Sequence, residues 1–169
     1  MSEETHAGLR SFRSRVDRAL EAFVGLVMAG LVLNVLWQVT TRFVLRSPSA
    51  ATEEIARYGL IWLGLFGATL AFRRGLHPSL QEALQTLAGR RGPQLRRALV
   101  PLSLALVALF ALLVLGYGGL RLVLLTHELG QRTAALALPL AWIYAVVPVA
   151  GALIAFYAAS ALLLGEEAP

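Results

Sequence analysis

The chain contains no cysteine and no lysine. Without cysteine, disulfides, thiol nucleophiles and thiolate-bound metals are all excluded. Histidine is sparse, and His6, His77 and His127 stand too far apart in sequence to form a local chelating motif. No nucleophile–base or metal constellation occurs at a usable spacing, so an enzyme is disfavoured. The basic residues are fifteen arginines, giving a net charge of +5. No aromatic-basic stripe accompanies them, and they read as topology signals rather than as a nucleic-acid surface.

What the chain has in excess is apolar sequence. Of 169 residues 57% are hydrophobic and mean hydropathy is +0.68, too apolar for a soluble domain with a polar surface. Four runs carry this excess: residues 22–41, 54–72, 98–117 and 136–164. Each reaches or approaches the ~20 residues that cross ~30 Å of hydrocarbon as a helix, and helices satisfy their own backbone in lipid. The expectation is an all-α integral membrane protein, a single membrane domain over residues 1–169 with four transmembrane helices. The first run follows a basic leader but is too long for a typical signal-peptide core, so it reads as a retained anchor. Pro148 near the middle of the last run predicts a kink there, whereas Pro139 falls in a first turn, where a missing N–H costs little.

Arginine counting sets the orientation. Four arginines lie in the leader, residues 1–20, and six in the connector, residues 73–97. The positive-inside rule then places both termini and that connector in the cytoplasm. Leu9, Phe12, Val16 and Leu20 recur at helical spacing in the leader, as do Leu76, Leu80, Leu84 and Leu87 in the connector. Both predict short amphipathic helices on the inner leaflet, with basic side chains meeting lipid headgroups.

Polar residues inside apolar runs are costly and therefore informative. Asn34, Gln38 and Thr41 form one stripe on the first span, with Arg42 just beyond. Thr52, Glu53 and Glu54 open the second span, and Arg57 follows one turn later. Thr52 can cap the helix, the carboxylates suit its positive dipole end, and Arg57 can pair with either one. Glu53 and Glu54 could instead carry protons, but their place at a span end favours capping and neutralisation of Arg42 and Arg57. Gly64, Ala68 and Ala71 share a face, as do Gly151, Ala155 and Ala159, and both stripes permit close helix approach.

The ordered set Trp37-Gln38-Val39, Arg42-Phe43, Pro48, Thr52-Glu53-Glu54-Ile55-Ala56-Arg57, Trp62, Gly67-Ala68, Ala71, Arg73 and His77 resembles a known family. It is similar to the small membrane subunit, or Q subunit, of the tripartite ATP-independent periplasmic (TRAP) transporters. Gly130-Gln131, Leu136, Pro139, Trp142, Tyr144 and Pro148-Val149 extend the match. Ala51 and Pro78-Ser79 depart from the family's usual residues. The resemblance implies a multi-pass protein of the bacterial inner membrane that braces a large membrane subunit. That partner would hold the substrate and sodium sites and move in an elevator-like manner, with no cofactor in this chain. A periplasmic binding protein would deliver the solute, commonly an organic acid. Arg73, Arg74 and His77 would then anchor the scaffold, and Glu53, Glu54 and Arg57 would lie on the side where the delivery protein docks. The competing expectation is a self-sufficient, proton-coupled homodimer of four-span chains working through Glu53 or Glu54.

Overall fold

A computed structural model describes residues 2–47, 49–75 and 92–164. Helix α1 spans Ser2–Phe43 and α2 spans Ala50–Gly75. Next comes one long helical rod made of α3 (Gly92–Phe110), a π-helical segment (Ala111–Gly118) and α4 (Gly119–Glu128). The described residues end in α5 (Leu140–Tyr144) and α6 (Val146–Leu164). Four stretches are long and apolar enough to cross a membrane: Ser11–Phe43, Ala50–Arg73, Pro101–Glu128 and Leu140–Leu162. Successive stretches run in opposite directions. The end holding the N-terminus is called the near end below, and the end holding the 44–49 and 129–139 connections the far end.

The leader and the first span form one uninterrupted helix rather than a surface helix followed by a spanning one. Its 42 residues rise ~63 Å at 1.5 Å each, about twice the hydrocarbon thickness. Side-chain ties to α2 and α6 hold the turns around Phe12 to Glu21 against the bundle, so the helix has no cause to bend onto a surface there. The connector's expected helix, residues 76–91, lies outside the described residues.

The fourth span is the centre of the bundle. In it 44% of the most apolar window is buried, against 11%, 11% and 17% in the first three. Tyr157, Val146, Ala150 and Ala158 are nearly sealed, with Leu20 and Phe66 packed into the same core. The expected kink at Pro148 sits earlier. The helix breaks at Ala145, between α5 and α6, which puts Pro148 in the first turn of α6, where its lost N–H is harmless. The third span lies close against it. A Cβ added at Gly151 would fall 2.7 Å from the Leu115 Cβ and 2.9 Å from the Ala111 carbonyl oxygen. One at Gly119 would fall 2.8 Å from Val147. Of the stripe predicted on this helix, Gly151 and Ala155 are buried and Ala159 is exposed, whereas Gly64, Ala68 and Ala71 all face outward.

Candidate functional site

Polar ties close the bundle at both ends. At the far end, Glu54 sits one turn inside α2 with only 7% of its surface exposed. Its Oε2 accepts two backbone N–H groups of the 129–139 connection, from Ala135 at 3.0 Å and Leu136 at 2.7 Å. Successive amides turned toward one carboxylate form a small anion nest. The connection is folded to present them. The Thr133 amide donates to the Leu138 carbonyl and the Leu138 amide to the Thr133 hydroxyl. Arg132 bridges to Pro139, and the hook turns on Gly130 and Ala137, both at positive φ. Asn34 of α1 donates to the Thr52 carbonyl at 2.9 Å, and Trp62 donates to the Ile143 carbonyl at 3.0 Å. Three of the four spans and the hook are thus joined by side chains of α1 and α2.

Glu53, one residue away, is in the opposite circumstance. It faces outward and pairs with Arg57 at 3.3 Å, both side chains about two-thirds exposed (68% and 66%). Arg57 does not share itself with Glu54, although i,i+3 spacing would allow it, because the Glu54 carboxylate is turned inward onto the amides of the hook. The cap expected of Thr52 is absent too, since the helix begins earlier, at Ala50, and the Thr52 hydroxyl donates back to the Ser49 carbonyl. Gln38 is half-buried on α1 and Arg42 exposed in its last turn.

At the near end, Arg73 is the hub. Its Nε lies 3.4 Å from Asp17 and its Nη1 donates to Glu21 at 3.1 Å, which ties α2 to α1. The Tyr157 hydroxyl donates to the other oxygen of Asp17 at 2.7 Å and brings in α6. Arg13 lies over the Tyr157 ring, 5.9 Å from its centroid, and Phe12 meets Phe156 edge-on at 5.8 Å. The side chain of Arg74 and the whole of His77 lie outside the described residues.

The structure therefore brings the buried Glu54 and the half-buried Arg73 into separate networks, pairs Glu53 with Arg57 at the surface, and unites none of these four across the membrane. Sequence reasoning missed Asp17, Glu21 and Tyr157. Asp17 and Glu21 carried a signal, being acids one helical turn apart in a leader otherwise dominated by arginine. Tyr157, inside an apolar run, carried none. Among the described residues no three His, Asp or Glu side chains cluster closely enough to hold a metal ion. Chemically, both ends fasten helices. Carboxylates accept, and amides, a phenol and a guanidinium donate.

Comparison with known proteins gives these ties a context. A family model, the DctQ component of tripartite ATP-independent periplasmic transporters, matches residues 31–166. The sialic acid TRAP transporter small permease protein SiaQ of Vibrio cholerae is 31% identical over 112 residues, 64% of this chain and 62% of that protein. A Haemophilus influenzae protein, named as a TRAP transporter small permease, is 34% identical over 79 residues, 47% of this chain and 49% of the relative. The matched part thus spans about three-fifths of one relative and half of the other.

Proposed function

The chain belongs to the DctQ family, the small permease subunits of tripartite ATP-independent periplasmic transporters, and from that premise we propose that it works as a rigid brace. It is a multi-pass protein of the bacterial inner membrane and a transporter component rather than an enzyme. On this reading it fastens to a large membrane subunit and widens that subunit's fixed frame. The partner carries the sodium and solute sites, and a periplasmic binding protein delivers the solute, an organic acid. The Vibrio cholerae relative is named for one such acid, sialic acid.

The observation that carries the proposal is the pair of side-chain networks at opposite ends of the bundle, built on a buried Glu54 and a half-buried Arg73. A transporting chain needs polar groups that exchange partners. Here Glu54 is committed to two backbone amides and Arg73 to two carboxylates, the arrangement of a brace. The same commitment weighs against a proton-coupled homodimer, whose essential carboxylate must load and release a proton. The positive-inside count puts the near end, with Arg73, in the cytoplasm, and the far end, with Glu54, toward the binding protein.

The first two spans, each only 11% buried in their most apolar window, leave the most surface for the large subunit. Gly64, Ala68 and Ala71 face outward from α2 and let a partner helix approach closely. The test is uptake by vesicles containing the large subunit with its binding protein, made with and without this chain. Uptake should collapse without it, and a normal rate in its absence would overturn the proposal.

A further inference from the structure

Between the two networks, α1 and α6 part to leave an apolar groove of about 520 Å³. Val16, Ala19, Leu20 and Phe23 form one wall, and Val149 and Leu153 are part of the other. Trp62 and Phe66 of α2 make the floor. At the near end the two helices meet through Phe12 and Phe156 and through Arg13 and Tyr157, and the groove closes there.

From these features we infer that the groove is a binding site for one phospholipid with an anionic headgroup, its acyl tail lying along Trp62 and Phe66. The dimensions choose the occupant. Spread over the ~12 Å rise of the eight residues from Val16 to Phe23, about 520 Å³ leaves a mean cross-section of ~43 Å². A helix ~10 Å across needs roughly twice that area, so the groove suits a slender lipid tail better than a partner's transmembrane segment. Chemistry agrees, since every lining residue is apolar and the walls lie within membrane-spanning stretches.

Charge sets the headgroup. Arg15 lies one helical turn before Ala19, and Ala19 one turn before Phe23, so all three follow one side of α1. Arg15 is exposed at the groove's edge, Arg13 is half-buried beside Tyr157, and Arg18 points away from the groove on the opposite side of α1. The nearby acids Asp17 and Glu21 are already engaged by Arg73. The rim beside Ala19 therefore carries a basic side chain, Arg15, close to the N-terminal end of the Ser11–Phe43 stretch. Arginine there attracts an anionic headgroup electrostatically and through bidentate phosphate contacts.

The floor residue Trp62 supplies the readout. The full chain carrying Trp37→Phe and Trp142→Phe, both exposed positions, keeps Trp62 as its one tryptophan. It is reconstituted into phosphatidylcholine vesicles containing increasing fractions of phosphatidylglycerol brominated on its acyl chains. Bromine quenches tryptophan on contact. Quenching should saturate at a mole fraction about five-fold below that needed with brominated phosphatidylcholine, the effect of one arginine at an anionic headgroup. Arg15→Gln should remove that preference while leaving the spectrum unchanged, and Ala19→Phe, which fills the groove from its rim, should remove the saturating phase. Equal quenching by both lipids in proportion to their bulk fraction would overturn the inference, as would absence of quenching by either.

Discussion

Glu53 and Glu54 are neighbours in sequence with different duties. Glu54 accepts two amides of the far-end hook, and Glu53 holds one exposed arginine. Glu53→Gln should change stability by under about 0.5 kcal/mol, as exposed ion pairs do. Glu54→Gln keeps the size and can keep a carbonyl oxygen on both amides, but it removes the charge that strengthens those bonds, so the hook should loosen. Thermal unfolding of the purified chain in mild detergent checks both, with a clear loss expected for Glu54→Gln alone. Hydrogen exchange at Ala135 and Leu136 should rise in that variant and stay unchanged in Glu53→Gln. At the near end, Tyr157→Phe removes a hydrogen bond to a charged acceptor and should cost about 1.5–3 kcal/mol in the same unfolding measurement. The sequence named Glu54 as a candidate and left Arg57 open to either glutamate, but offered no partner outside α1 and α2, because helical spacing ranks neighbours on one helix and is blind to a loop 81 residues away. Tyr157 and Asp17, 140 residues apart, were hidden for the same reason.

Helix composition tells more than single residues do. All four spanning stretches were legible from hydropathy, because length and apolarity are local properties. Two features at this scale were not. The leader's fusion with the first span depends on contacts made by Phe12, Asp17 and Glu21 with other helices. The break at Ala145 rather than Pro148 reflects how α5 docks under the hook, through the Leu140 amide and the Gln131 carbonyl. Small residues divide by neighbourhood. Gly151→Val would push a side chain into the Ala111 and Leu115 turn and should cost about 1–3 kcal/mol through overpacking. Gly64→Val meets nothing within 4 Å in this chain, so the isolated chain should keep its unfolding temperature. If α2 presents this face to the large subunit, the same substitution should weaken their association, and a pull-down of the variant from membranes measures that directly.

The molecule as a whole is a four-span bundle wrapped around its last helix, fastened near one end by Arg73 and near the other by Glu54. Such a body resists shear between its helices, which suits a frame against which a moving subunit works. The family was legible in the ordered motif from Trp37 to Pro148, span count and membrane character in the four apolar runs, and the fastening pattern required the fold. The most direct test of the brace is its company. The chain, tagged at its native locus, is purified in mild detergent and its bound proteins are identified and counted by mass spectrometry. The account predicts a much larger polytopic membrane protein at near one-to-one ratio, and this chain recovered alone as a stable homodimer would contradict it.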